Sequence, residues 1–139
     1  MSRFASHLKE RHNSGAIAAE FALVGPLFVL LLMGLVVYGG WFWMAQGVSS
    51  LAAEGARAAV AGLDVAERDM LARAAVTDTV DATILSPDEI DVAVASTTRA
   101  IEVTVSYDAS EHPFMALPAL VPPPPRTITR TSTVLVGGY

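Results

Sequence analysis

The residues with the clearest chemical potential lie at the threshold of a long apolar run. Glu20 is the last charged residue before the uncharged residues 21–45, and Gly15 and Ala16 come shortly before it. Cleavage after Gly15 would turn Ala16 into a new N-terminal ammonium about one helical turn from the Glu20 carboxylate. The two charges could then pair, within one helix or between neighbouring copies. The alternative is a carboxylate that simply lies in the lipid headgroup layer, where its cost is small.

A second group of polar residues includes the side-chain types that hydrolases use, namely serine, histidine and carboxylates. These residues lie close together in the sequence: Ser106, Asp108, Ser110, Glu111 and His112. Adjacency along the chain is not the geometry of a catalytic triad, and no GxSxG turn is present. Outside the N-terminal segment His112 is the only histidine, and the chain has no cysteine. These counts exclude multi-histidine and thiolate metal sites in the C-terminal part. We expect neither catalysis nor a cofactor, and an anchored hydrolase using His112 is the least favoured class.

A cluster of acids near the middle of the chain could be taken for a calcium site: Asp78, Asp81, Asp88, Glu89 and Asp91. The cluster lacks the ligand spacing and central glycine of an EF-hand loop, so we interpret it as a solvated acidic surface. The net charge is −5, and the arginines beyond residue 50 are scattered among acids. Without a basic stripe to neutralise phosphates, nucleic acid is not an expected partner.

The uncharged residues 21–45 predict a membrane-spanning helix. They would form a helix of about 37 Å, against about 30 Å for the hydrocarbon core of a bilayer. Such a run is too long for an ordinary secretory signal. Aromatic residues near its end, Tyr38, Trp41, Phe42 and Trp43, predict a belt at the far interface. The basic residues Arg3, Lys9 and Arg11 precede the run, so the positive-inside rule predicts a cytoplasmic N-terminus and an exported remainder.

Beyond the membrane the pattern predicts an α+β head on a helical stem. The helix is expected to continue to about Ala61, with Glu54 and Arg57 paired on one face or contacting another subunit. Asp64 and Glu67 have the spacing of a capping box that opens a second helix. The apolar stripe of this second helix is Ala72, Val76 and Val80.

Alternating apolar residues then predict a small three-stranded antiparallel sheet. The strands are centred on Ile90 to Val94, on Ile101 to Tyr107 and on the threonine-rich residues 127–136. The first two are joined across residues 96–99, as a hairpin.

The segment over residues 113–125 is unusually apolar for a loop. It contains four consecutive prolines from Pro122, which predict extended chain. Two roles are open: the apolar residues fold back onto the sheet, which a domain of this size favours, or they form a surface for a partner. They are Phe114, Met115, Leu117, Leu120 and Val121.

The order of the N-terminal motifs is similar to that of a known family. Gly15 to Phe21 reads GAIAAEF, Pro26-Leu27-Phe28 follows, and Glu54-Gly55-Ala56-Arg57 comes later. In this order they resemble the TadE-like pseudopilins of the tight-adherence (Flp) pilus system. The resemblance covers the N-terminal third of the chain closely and the remainder only loosely.

The resemblance implies cleavage between Gly15 and Ala16 by a membrane prepilin peptidase, with Glu20 needed for processing or assembly. It divides the chain into a leader (1–15), a transmembrane and assembly helix (16–62) and a periplasmic head (63–139). It further implies a minor structural pseudopilin in the bacterial inner membrane. Its partners would be prepilin peptidase, other pilins, the pilus assembly platform and membrane lipid. The alternative is an uncleaved single-pass envelope protein whose periplasmic head binds a partner.

Overall fold

The computed structural model describes residues 4–116 and 121–137, with side chains described from Gly15 onward except at Ala16. The first element is a single long helix, α1 (Phe4–Ala59). The later helices and strands are, in chain order, α2 (Val65–Val80), β1 (Ile90–Ser96), β2 (Ala100–Asp108) and β3 (Thr127–Leu135). Two short 3₁₀ turns, Pro87–Glu89 and Pro113–Met115, precede β1 and follow β2. The predicted α+β fold, with a long N-terminal helix and a three-stranded antiparallel sheet, is confirmed.

The helix α1 runs without interruption through the apolar residues, although Pro26 lies inside it. It ends at Ala59, close to the predicted end. Residues 4–15 also belong to α1, so the expected leader and the expected stem are one continuous helix in this structure.

The start of α2 confirms the predicted capping. The Oδ1 atom of Asp64 accepts a hydrogen bond of 2.8 Å from the backbone N–H of Glu67. Glu67 Oε2 accepts one of 2.7 Å from the N–H of Leu63, one residue earlier than in the usual reciprocal box. Two otherwise unpaired donors are satisfied in this way. The stripe of Ala72, Val76 and Val80 is buried, as its spacing predicts.

The sheet has the order β1-β2-β3, and both pairs are antiparallel. The hairpin pairs Ile90 with Tyr107 at one end and Ser96 with Ile101 at the other. Strand β2 is central, and its alternating residues Ile101, Val103, Val105 and Tyr107 are buried. On the other face hydroxyl groups pair across β2 and β3, at 2.9 Å between Thr104 and Thr131 and 3.1 Å between Ser106 and Thr129.

The core of the head is built on the second half of α1. Buried α1 residues begin at Val37, which is 1% exposed, and continue through Met44, Val48 and Leu51 to Ala59. They pack against α2 and the inner face of the sheet in one cluster. The same helix is therefore almost bare in its first half and the central element of a folded domain in its second.

Candidate functional site

Gly15 and Glu20 lie on neighbouring turns near the start of the described side chains. Both residues are exposed on α1, and a Cβ added to Gly15 would meet nothing within 4 Å. Ala16 follows Gly15 within the same helix. Cleavage between them would make Ala16 the first residue of the helix, where backbone N–H groups lack partners and negative charge is favoured. The spacing places Glu20 within reach of that end.

The helical surface that follows Glu20 is apolar and uncovered. From Ile17 to Val36 almost every large apolar side chain is exposed, with Phe21 76% and Leu23 80% exposed. Residues Ile17–Ala59 contain one stretch long and apolar enough to cross a membrane. The bare part from Ile17 to Val36 would measure about 30 Å as a helix, which equals the hydrocarbon thickness of a typical bilayer. A bare surface of this kind requires lipid or other subunits as its covering.

Where the bare half of α1 ends, its aromatic residues hold the proline-rich loop. The Tyr38 hydroxyl donates a hydrogen bond of 3.1 Å to the carbonyl oxygen of Pro122. The indole Nε1 of Trp41 donates one of 2.9 Å to the carbonyl oxygen of Pro125. The ring of Trp41 is half-buried, and its place in the interfacial belt stays a prediction. Phe42 and Trp43 are exposed and keep that interpretation.

The favoured expectation that the loop folds onto the sheet is corrected in part. The ring of Phe114 lies directly on Gly40 of α1, so that a Cβ at Gly40 would be 2.6 Å from it. Together with the carbonyls of Pro122 and Pro125, this places the described part of the loop on the helix. Met115 is the part that reaches the core of the head. Leu117 and Leu120, named in the same prediction, lie outside the described residues.

Sequence reasoning missed these contacts, although a signal for them exists. Proline has no N–H, so a proline run offers carbonyl acceptors that must find donors elsewhere. Tyr38 and Trp41 are side-chain donors that lie near the end of the apolar run.

In the Glu54-Gly55-Ala56-Arg57 motif, the two central residues pack inside the head and the two outer residues are charged groups at the surface. Gly55 and Ala56 are buried, and a Cβ on Gly55 would come within 3.2 Å of both Val76 and Val103. The motif thus brings α1 close to α2 and to the sheet. Glu54 and Arg57 form an ion pair with each other at the surface. Pairing on one helix face was one of the two roles predicted for them, and the structure shows it; a contact with another subunit stays a prediction.

The polar residues considered as hydrolytic machinery are engaged separately. Ser106 bonds to Thr129 on the outer face of the sheet, whereas Asp108 Oδ1 accepts a 2.9 Å bond from the N–H of Ser110. The Nδ1 atom of His112 faces the N–H of Phe114 at 3.5 Å, and their rings stack at 5.1 Å. Among the residues that the structure describes, no serine hydroxyl is hydrogen-bonded to His112, although Ser86 lines the same cavity.

Two charged side chains of the head have shifted pKa values. Hydrogen bonds from the Ser110 hydroxyl and N–H, with a smaller attraction from Arg126, lower the pKa of Asp108. The hydrogen bond to Asp69 raises the pKa of Arg73. Within residues 4–116 and 121–137, His, Asp and Glu form no cluster suited to a metal ion, including the acids once considered for calcium.

The fold and the exposed helix define a class: a small α+β head built around the end of a candidate membrane span. A family model described as TadE-like protein matches residues 15–57. The match agrees with the resemblance seen in the sequence. It begins at Gly15, includes Glu20 and the bare helical surface, and ends at Arg57.

No curated protein and no solved structure matches the chain. The TadE-like match indicates involvement in the tight-adherence pilus system and interaction with pilus-assembly components in general. It covers the helix and not the sheet.

Proposed function

We propose that this chain is a minor pseudopilin of a tight-adherence pilus, anchored by α1 in the bacterial inner membrane. Its N-terminus lies in the cytoplasm and its head in the periplasm, in accordance with the basic residues before the apolar run. Prepilin peptidase cuts between Gly15 and Ala16. The mature helix then starts with a free ammonium group beside Glu20.

One observation carries the proposal: the helix that is bare between Ile17 and Val36 is the helix on which the head is built. The head and the membrane segment share this one continuous helix. An assembly platform that draws the bare helix out of the bilayer would therefore move the head with it. The apolar surface would exchange lipid for the helices of neighbouring subunits.

Glu20 supplies the polar contact in this exchange. In a filament core of packed apolar helices, a carboxylate is costly unless a cation lies beside it. The Ala16 ammonium of a neighbouring subunit provides that cation only after the leader has been removed. Pairing of the two would fix the axial register between subunits.

Substitution of Glu20 tests the proposal in the native host. In a strain that carries only Glu20→Ala, we expect sheared pili to be strongly reduced while the protein remains in the membrane fraction, because the apolar run is intact. Glu102→Ala is the control, since it removes an exposed carboxylate from the sheet. Normal piliation with Glu20→Ala would refute the charge-pairing role.

Substitution of Gly15, the residue before the proposed cleavage site, is a second test of the proposal. We expect Gly15→Arg to leave the full-length chain uncut and to abolish pili. An uncleaved envelope protein with a partner-binding head would be unaffected by this change. Pili that assemble normally with Gly15→Arg would therefore favour that alternative.

A further inference from the structure

The connection between β2 and β3 contains a long segment that is entirely apolar. Its residues 113–125 read PFMALPALVPPPP, without one charged or hydrogen-bonding side chain. Polar and charged residues resume on both sides, at His112 and Arg126. A water-exposed loop normally carries polar residues, so the composition requires an apolar environment on more than one side.

The loop lies beside the candidate span. A groove of about 560 Å³ separates Val121 and Pro122 from α1, and its helical wall is Val24, Leu27, Phe28, Leu30 and Leu31. Leu31 precedes the first buried residue of the head, Val37, by six positions, or about 9 Å along the helix. The loop thus extends below the head along the bare surface.

The depth of this groove identifies its environment. Its helical wall belongs to the uncharged residues 21–45 and lies ahead of the aromatic residues that end the run. If α1 spans a membrane, the level of Leu27 to Leu31 is within the hydrocarbon. Val121 and Pro122, which line the groove opposite these residues, are then surrounded by lipid as well.

The backbone of the loop suits such an environment. Unpaired N–H and C=O groups are costly in lipid, and irregular chain is tolerated there only where these groups are satisfied. Six of the thirteen loop residues are prolines, which have no N–H to satisfy. The carbonyls of Pro122 and Pro125 are taken by Tyr38 and Trp41. Both donors are aromatic residues of the type found at membrane interfaces.

We propose that the described part of this apolar loop, residues 113–116 and 121–125, is a second membrane-contacting element. It sinks into the outer leaflet beside α1, and lipid acyl chains fill the groove between Val121 and Leu31. The head would then rest on the bilayer in a fixed orientation. This inference depends on the anchoring of α1 that we propose above, and does not depend on cleavage or on pilus assembly.

Single cysteines carrying an environment-sensitive fluorophore test the proposal, since the chain has none of its own. The full chain is reconstituted into vesicles of phosphatidylethanolamine and phosphatidylglycerol, with and without bromine on the acyl chains. Val121→Cys reports on the groove, and Pro123→Cys is a second loop position with an exposed side chain. Leu31→Cys reports on the span. Thr98→Cys, in the turn between β1 and β2, is the control at the far end of the head.

We expect blue-shifted emission and loss of fluorescence in brominated vesicles at both loop positions and at Leu31, with neither effect at Thr98. Quenching at Leu31 without quenching at either loop position would overturn the loop proposal and leave the anchor intact. Absence of quenching at Leu31 as well would overturn both. A third outcome is a blue shift at Val121 without quenching by bromine. If that blue shift disappears when the protein is diluted below one chain per vesicle, a second copy of the chain fills the groove, and the proposal is overturned.

Discussion

Trp41 and Pro125, 84 residues apart in the chain, are joined by a hydrogen bond of 2.9 Å from the indole Nε1 to the carbonyl oxygen. With the bond from Tyr38 to Pro122, it attaches the proline-rich loop to α1 at the level where the helix enters the head. The contact explains why an apolar loop does not need the sheet for its burial. It also makes the membrane-proximal side of the head depend on two side chains of the helix.

Replacement of Trp41 by phenylalanine keeps an aromatic ring and removes the donor. We expect Trp41→Phe to lower the free energy of unfolding by about 0.5–1.5 kcal/mol, because the hydrogen bond from the half-buried Trp41 indole to the Pro125 carbonyl is lost. Trp43→Phe is the matched control, since Trp43 is 62% exposed. Denaturant unfolding of the full chain in detergent, followed by circular dichroism, measures both. Equal effects of the two substitutions would contradict the structural role of Trp41.

Gly40 permits the close approach of Phe114 to the helix. Alanine normally stabilises a helix relative to glycine by up to about 1 kcal/mol. At Gly40 the new methyl would lie 2.6 Å from the Phe114 ring, so we expect Gly40→Ala to displace the loop and destabilise the head by about 1–3 kcal/mol.

Gly39→Ala is the matched control. We expect it to stabilise the helix, because a Cβ at Gly39 meets nothing within 4 Å. The pair is compared by the denaturation midpoint in the same detergent. A stabilising effect at both positions would show that the contact between Phe114 and Gly40 is absent in solution.

The Glu54-Gly55-Ala56-Arg57 motif predicts a large effect at Gly55 and a small one at Arg57. A valine at Gly55 must displace Val76, Val103 or the backbone of Ala72, so Gly55→Val should cost about 1–3 kcal/mol of head stability. Arg57→Ala removes one partner of an exposed pair and should change stability by less than about 1 kcal/mol. Thermal unfolding of both variants checks the ranking. The reverse ranking would assign the motif to charge and not to packing.

The lowered pKa of Asp108 predicts a pH-dependent contribution to stability. A carboxyl whose pKa is lower in the folded state stabilises above its unfolded value, near 3.9, and this stabilisation is lost as the pH falls through the folded pKa. Asp108→Asn should therefore reduce the thermal midpoint slightly at neutral pH and converge with the wild type in acid.

Asp88→Asn controls for the change in net charge. The two titration series are compared from neutral pH to about pH 3, a range that includes the unfolded pKa. A difference between Asp108→Asn and wild type that is constant over this range would contradict the assigned hydrogen bonds.

Local signals in the sequence predicted most of the elements. The spacing of Asp64 and Glu67 identified the start of α2, and the period of four marked Ala72, Val76 and Val80 as its buried side. Alternation along Ile101 to Tyr107 identified the central strand, because successive side chains of a strand face opposite sides.

Contacts between distant segments could not be predicted in this way. Trp41 and Phe114 lie in segments with no shared periodicity, and the contact of Gly40 with Phe114 exists only after the loop has folded onto α1. The aromatic residues of the helix matched an interfacial belt equally well by composition. Only the structure distinguishes Trp41, which holds the loop, from Trp43, which is exposed.

The N-terminus and intact mass of the mature protein, purified from the membrane fraction of its own host, test the central proposal most directly. Prepilin-type processing predicts a chain that starts at Ala16, with the mass of residues 16–139 apart from any modification of the new N-terminus. A chain that starts at Met1, in a host whose prepilin peptidase cleaves its other substrates, would contradict the pseudopilin assignment. It would also deprive Glu20 of its proposed partner.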